Sequence, residues 1–467
     1  MITELQMRNA LSTILVFVLS IGINQPSAIG VDDVTHKIQV LYCGNPGSER
    51  EEEFVTFLRD HGFEVSKSDL RSVDEAGADK FDVVILDWTY RYDNKGYPDR
   101  SKWKVDVKPL TENFRCPTIV ISAVGLDMLS KLKPKIERVC LCMTNQAFQP
   151  RTDHEIFHRP LEVAPVIKKV AAPWDAKYMM VADVPLEDQI SVWEVQTKDY
   201  PEIDPGLACD SYGFEDSPDC ETFSLGISDK GPQSLAIARQ SNFLFWGFSA
   251  PPNDMTFSGR RLFVNAVAYI SKFRDAALPQ KRTTPSRLWA LRYANTPLFY
   301  SEGYSRELRL HYQEMFQKYP EWIPAEFDNA ARPYIDNLVH RNEISHRELV
   351  LTLHPAELIK QFGDDASALR SYFQDNLSFL YFQDDMFVVD ENVKRVGIAN
   401  NDVKLIEYCI AKLDSQREGH AAVQILKRYT LESFDTKEQW NHWYDTNRSR
   451  LYFSDTGGYK FYVSQAK

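Results

Sequence analysis

Residues 37–45 read KIQVLYCGN, an apolar run through Val40, Leu41, Tyr42 and Cys43 that breaks at Gly44-Asn45. Ser48 followed by Glu51 is a helix-start signature. Phe54, Phe57, Leu58 and His61 then recur at helical spacing, and Gly62 ends the pattern. A buried strand feeding an amphipathic helix is the first half of a βαβ unit. The same apolar character returns at 81–87 (FDVVILD), 118–122 (TIVIS) and 139–143 (VCLCM), and again at 235–238 and 243–247. A helix over 258–273 presents Leu262, Phe263, Ala266 and Ile270 on one face. Apolar strands alternating with such helices predict an α/β domain with a parallel sheet covered on both faces.

The whole chain has 467 residues, 43% hydrophobic and 26% charged, with 20 Gly and 24 Pro. These values exclude a disordered chain, a collagen-like fibre and a multi-span membrane protein. A net charge of -12 disfavours nucleic acid as a partner, because phosphate binding needs excess Lys and Arg. Leu11 to Ile23 is uncharged and apolar, but its 13 residues fall short of the about 20 that span a bilayer. Small and polar residues follow it. Residues 1–30 therefore read as a signal peptide, which makes the mature chain exported, without stable membrane insertion. Seven cysteines are too few for a disulfide framework. Cys209 and Cys220, flanking an acidic loop, are the candidate disulfide pair.

Residues 31–275 form the first expected domain, and 276–286 (AALPQKRTTPS) read as a linker. Residues 287–467 read as a second domain, mainly helical. Ala422, Ile425, Leu426 and Tyr429 lie at i, i+3, i+4 and i+7, and Asp435 with Glu438 opens a last helix carrying Trp440, Trp443 and Tyr444. The chain then ends in a hairpin around Asp455-Thr456-Gly457-Gly458.

Few motifs carry chemistry. The turn 43–48 contains neither GxGxxG nor GxxxxGK[ST], and Glu49, Glu51, Glu52 and Glu53 crowd the helix start, so no nucleotide cofactor is expected. His154-Glu155-Ile156-Phe157-His158 is a literal HExxH, which on a helix would bind zinc through His154 and His158 with Glu155 as base. Pro150 and Pro160 cut short the helix this needs. Glu215, Asp216, Asp219 and Glu221 offer oxygen ligands for calcium without the EF-hand pattern, and a solvated loop fits them better. Asp87-Trp88 ends the strand FDVVILD, where ligands of parallel sheets bind.

Taken in order, the strand end Asp87-Trp88, the stretch TIVISAVGLDML (118–129), VCLCM, DHEIF (153–157) and LFWGFSAPPNDMTFSGRRLFVNAVAYI (244–270) resemble the ThuA-like branch of the class I glutamine amidotransferase-like superfamily. The resemblance covers about residues 37–273. It implies a flavodoxin-like α/β domain. It also implies a nucleophile elbow at Ser122 to Leu126, where Val124 occupies the position of the catalytic cysteine and cannot attack. A carbohydrate-related role follows from the family by analogy alone.

The resulting expectation is an exported, non-catalytic protein that binds a polar small molecule or glycan, or a protein partner through its helical domain. Asn45, Asp87, Trp88, Gly125 and His154 are the candidate ligand residues. A hydrolase acting on a sugar or amide at the strand ends is the alternative, and a zinc hydrolase using His154 and His158 stands third.

Overall fold

A computed structural model describes residues 37–88, 105–121, 123–136, 139–179, 187–199, 202–204, 206–228, 231–327 and 330–464. The expected signal peptide lies outside them, as does Ser122 of the expected elbow. From Ile38 onward the chain forms one compact unit.

Eleven strands join in one sheet: β1 (Gln39–Gly44), β2 (Glu64–Asp69), β3 (Val83–Leu86), β4 (Thr118–Val120), β5 (Val139–Phe148), β6 (Ile167–Ala171), β7 (Gln189–Glu194), β8 (Gly206–Asp210), β9 (Cys220–Ser228), β10 (Gly231–Gln240) and β11 (Phe243–Trp246). Along the order β2-β1-β3-β4-β11 every pairing is parallel. Beyond β11 the character changes. β10 runs antiparallel to β11, and β10, β8, β5 and β9 pair antiparallel in a closed cycle, a small barrel, from which β7 and β6 continue outward.

The expected flavodoxin-like parallel sheet is therefore corrected. Only five of the eleven strands take part in parallel pairing, and the rest form the antiparallel barrel and its two-strand extension. The apolar runs were read one by one as buried parallel strands. β5, however, extends well past VCLCM into Thr144-Asn145-Gln146-Ala147-Phe148, and it pairs on both sides with strands of opposite direction. The barrel closes around Met143, which is 1% exposed. Gly206 and Gly226 face it so closely that a Cβ on Gly206 would stand 2.9 Å from the Met143 Cβ, and one on Gly226 would collide with its thioether. Close packing of this kind leaves room for hydrogen only.

Local signals on the parallel side hold. Ser48 caps the helix Glu49–Asp60 by accepting from the Glu51 amide at 3.2 Å, while the Glu51 carboxylate reaches back to the Gly47 amide at 2.7 Å. The helix Phe257–Ile270 lays Leu262, Phe263, Ala266 and Ile270 in the core.

The rest of the described chain, from Leu288 to Asn447, is mainly helical, with one short hairpin, β12 (Leu380–Gln383) and β13 (Met386–Val389). Its last helix, Lys437–Asn447, opens with a capping box of Thr436 and Gln439, one residue beyond the expected Asp435 and Glu438. The chain then forms β14 (Leu451–Ser454) and β15 (Lys460–Val463). Side chains alternate across this hairpin. Phe453 and Phe461 face the helical core, and the Tyr452–Tyr462 cross-strand pair faces the opposite way.

The hairpin's turn ties the two halves together. Residues 276–286, read from sequence as a linker, run beneath it. The Thr283 amide donates to Thr456 O at 2.8 Å, Thr284 Oγ1 to Asp455 O at 2.5 Å, and Tyr459 Oη to Pro285 O at 3.1 Å. On the sheet side Asp216 accepts from the Thr456 amide at 2.9 Å, from Ser454 Oγ at 2.8 Å, and from the fully buried Lys135 ammonium.

Candidate functional site

The carboxyl edge of the parallel strands was the expected place for a ligand. Asp87 leaves β3 there and is 1% exposed. Tyr42 of β1 donates its phenol proton to Asp87 Oδ2 at 2.5 Å. Arg50 grips the same carboxylate from two sides, Nε to Oδ2 at 2.7 Å and Nη2 to Oδ1 at 3.0 Å, and its Nη1 donates to Ser249 O at 2.6 Å. Burial, and then the Asp87 charge, push the Tyr42 phenol well above its ordinary value, so Tyr42 is a neutral donor. Both Asp87 oxygens are thus consumed by the protein. Sequence reasoning missed Arg50 and Tyr42, since nothing in a single Arg on an acidic helix marks it as the partner of a residue 37 positions away.

The other expected residues spread out. Asn45 is exposed in the turn after β1, where its carbonyl accepts from Ser48. Trp88 is partly buried, with the Arg71 guanidinium 5.7 Å from its ring centroid. Gly125 is buried in the helix Ala123–Met128, where a Cβ would stand 2.9 Å from Val120 Cγ1 and 3.1 Å from Leu86 O. Val124, expected at the elbow position, is 1% exposed in the same helix.

His154 stands at the other end of the sheet. Its ring packs on Phe223 of β9 and on Tyr269, near the end of the helix Phe257–Ile270. Tyr269 Oη donates to Glu221 Oε2 at 2.7 Å, and Glu221 pairs with Arg239 at 2.7 Å. Arg239 sits opposite Leu244, at the start of β11 and so at the amino edge. His154 and Asp87 therefore cannot share one substrate.

The HExxH stretch forms a single 3-10 turn, Glu155–Phe157, and no α-helix. His154 caps it by accepting the Ile156 amide on Nδ1 at 3.2 Å, and burial pushes its pKa down. Exposed His158 is engaged by Glu162 at 2.9 Å and Thr152 O at 2.7 Å, while Glu155 pairs with Lys272 at 2.8 Å. Among the described residues no group of three or more His, Cys, Asp and Glu is placed to hold a metal. Cys209 and Cys220 are separate buried thiols, Cys209 donating to Ile136 O and Cys220 lying beside Ser217. The acidic run 215–221 is only partly solvated: Glu215 is exposed, whereas Asp216 holds the hairpin turn, Asp219 accepts from Ser217, Gln240 and the Gln280 amide, and Glu221 holds Arg239.

What the amino edge does offer is a groove of about 1000 Å³ between the sheet and the terminal hairpin. Tyr452 and Tyr462 form one wall, their rings stacked at 5.7 Å and 22°. Arg115, Asp219, Arg239 and Phe273 line the other, and Ala276 to Leu278 expose an apolar shelf. Gln280 ties the walls, its Oε1 accepting from Tyr452 Oη at 3.1 Å. The two tyrosines were legible as alternating strand residues. Their meeting with a segment some 170 positions earlier was not.

No family model matches the sequence, and no curated protein matches it. Among solved structures the chain has a weak likeness to a GMP synthase component from Thermoplasma acidophilum, at 12% identity and a TM-score of 0.29, over 51% of this chain and 97% of that one.

Proposed function

We propose that this chain is an exported, non-catalytic binding protein that takes a polar, ring-bearing molecule such as a glycan in the groove at the amino edge. The observation that carries the reading is the combination of stacked tyrosines with charged and amide side chains along one groove. An aromatic pair offers a flat apolar face to sugar C–H groups, while polar side chains of the groove such as Arg115 and Gln280 meet its oxygens. The ThuA-like character of residues 37–273, with aliphatic Val124 in place of the nucleophile, belongs to the same reading. Burial raises the thiols of Cys43, Cys116, Cys209, Cys220 and Cys409 above their ordinary range, which is the opposite of what an activated nucleophile needs.

A glycan array probed with the mature chain, followed by calorimetry on the best hits, tests this. The expected result is saturable binding that Tyr452→Ala weakens by at least about tenfold, as loss of a stacking face should. Turnover of a chromogenic glycoside, or binding that Tyr452→Ala leaves unchanged, overturns it.

A further inference from the structure

Arg115 enters the groove wall just before β4. Its Nη1 is fixed by two backbone carbonyls, Phe114 O at 3.0 Å and Glu112 O at 3.2 Å. Its Nε and Nη2 have no acceptor among the described residues, and no carboxylate there pairs with it. The neighbouring charges are engaged by protein groups or screened by water. Arg239 donates Nε to Glu221 and Nη1 to Ser241 O, each at 2.7 Å. Asp219 is held by three protein donors, and Asp275 is exposed to water, which screens it. Arg115 is partly buried, so its charge is screened less.

A guanidinium with Nη1 tied down and the Nε–Nη2 edge open is a preoriented fork. That edge matches the two oxygens of a carboxylate in a bidentate pair. The same groove carries the tyrosine pair that suits a sugar ring. Resting on the binding reading above, we infer that the groove's ligand is an acidic saccharide of the uronic acid class, its carboxylate received by the Nε–Nη2 edge of Arg115 and its ring by Tyr452 and Tyr462. Neutral sugars would lose the charged contact and retain the stacking.

Calorimetry on the full mature chain with tri-galacturonic acid and its fully methyl-esterified form isolates the charge, since the two differ only at the carboxylates. The acid is expected to bind at least about tenfold tighter than the ester, with an affinity that falls as salt is raised. In Arg115→Gln the preference for acid over ester should shrink to within about threefold while the melting temperature stays put, and Arg115→Lys should recover only part of it. Equal binding of acid and ester, or a preference that survives in Arg115→Gln, overturns the acidic assignment and leaves the groove reading standing. Failure of the wild-type chain to bind either form, or any other glycan on the array, overturns both.

Discussion

Arg287 and Asp455, 168 positions apart, form a buried ion pair in which Nη2 donates to Oδ1 at 2.7 Å and Nε to Oδ2 at 2.9 Å, while the Arg287 amide also reaches Oδ2 at 2.9 Å. The pair joins the start of the helical half to the last turn of the chain. Burying two charges costs more than the pair recovers unless every oxygen is met, and here each is met at least twice. Removing one partner strands the other. Asp455→Ala should therefore lower unfolding free energy by about 3–5 kcal/mol. Replacing both residues by apolar ones of similar size should cost far less. Urea denaturation of the single and double variants checks this, and additive costs would refute the pairing as the source.

The barrel's closure makes a second expectation. Gly226 faces the Met143 thioether with no space for a methyl group. Gly226→Ala should destabilise by about 1–3 kcal/mol through overpacking. Shortening Met143 to Ala in the same chain should then return part of the loss, although Met143→Ala alone creates a cavity and is itself destabilising. Thermal melts of the three variants read the coupling. A double variant no better than Gly226→Ala alone would contradict the packing argument.

Much of the parallel half was readable because β1, β3, β4 and β11 are short, largely apolar runs. Two other strands were harder, one parallel and one antiparallel. β2 (EVSKSD) lies at a sheet edge with only Val65 buried, so it offers no run to detect. β9 interrupts its pattern with Gly226 and Ser224, yet Ser224 is fully buried, donating to Phe148 O at 3.0 Å. That reading needs β5 in place. The same holds for the ligand residues. Asp87 looked available because it ends a parallel strand, where ligands bind, but Arg50, which occupies it, comes from another element. Tyr452 and Tyr462 were placed in the correct hairpin, but a hairpin's outward face reads as solvent until a second wall is known. Register and long-range ion pairs are set by tertiary packing, and local pattern does not encode them.

The two ends of the sheet should behave independently. Asp87 at the carboxyl edge is tied to Tyr42 and Arg50, whereas the groove lies at the amino edge. Asp87→Ala leaves the Arg50 guanidinium without its carboxylate and should cost about 2–4 kcal/mol of stability. It should not change glycan affinity measured well below the melting temperature, because sites this far apart couple weakly. Parallel calorimetry and melting curves decide it. A drop in affinity equal to that of Tyr452→Ala would move the binding site to the carboxyl edge.

Alkaline pH should unfold the protein through its buried acids. Burial first, then Asp87, holds the Tyr42 phenol well above 10.0; burial first, then Asp455, does the same for Tyr459; and burial first, then Asp210, holds the Cys209 thiol well above 9.0. The unfolded chain releases these protons near the ordinary values while the folded chain keeps them. The folded state then binds more protons, so stability is fully present below about pH 9 and declines as pH rises, by about 1.4 kcal/mol per pH unit for each group past its unfolded pKa. Urea midpoints should accordingly stay level from pH 7 to 9 and fall steeply by pH 11. Tyr459→Phe removes one titrating group and should make the decline shallower, even though it gives up the hydrogen bond to Pro285 O and begins from a lower value at pH 7. Midpoints that do not change up to pH 11 would mean these phenols and this thiol ionise in the folded protein much as they do in water, and the burial assigned to them would be wrong.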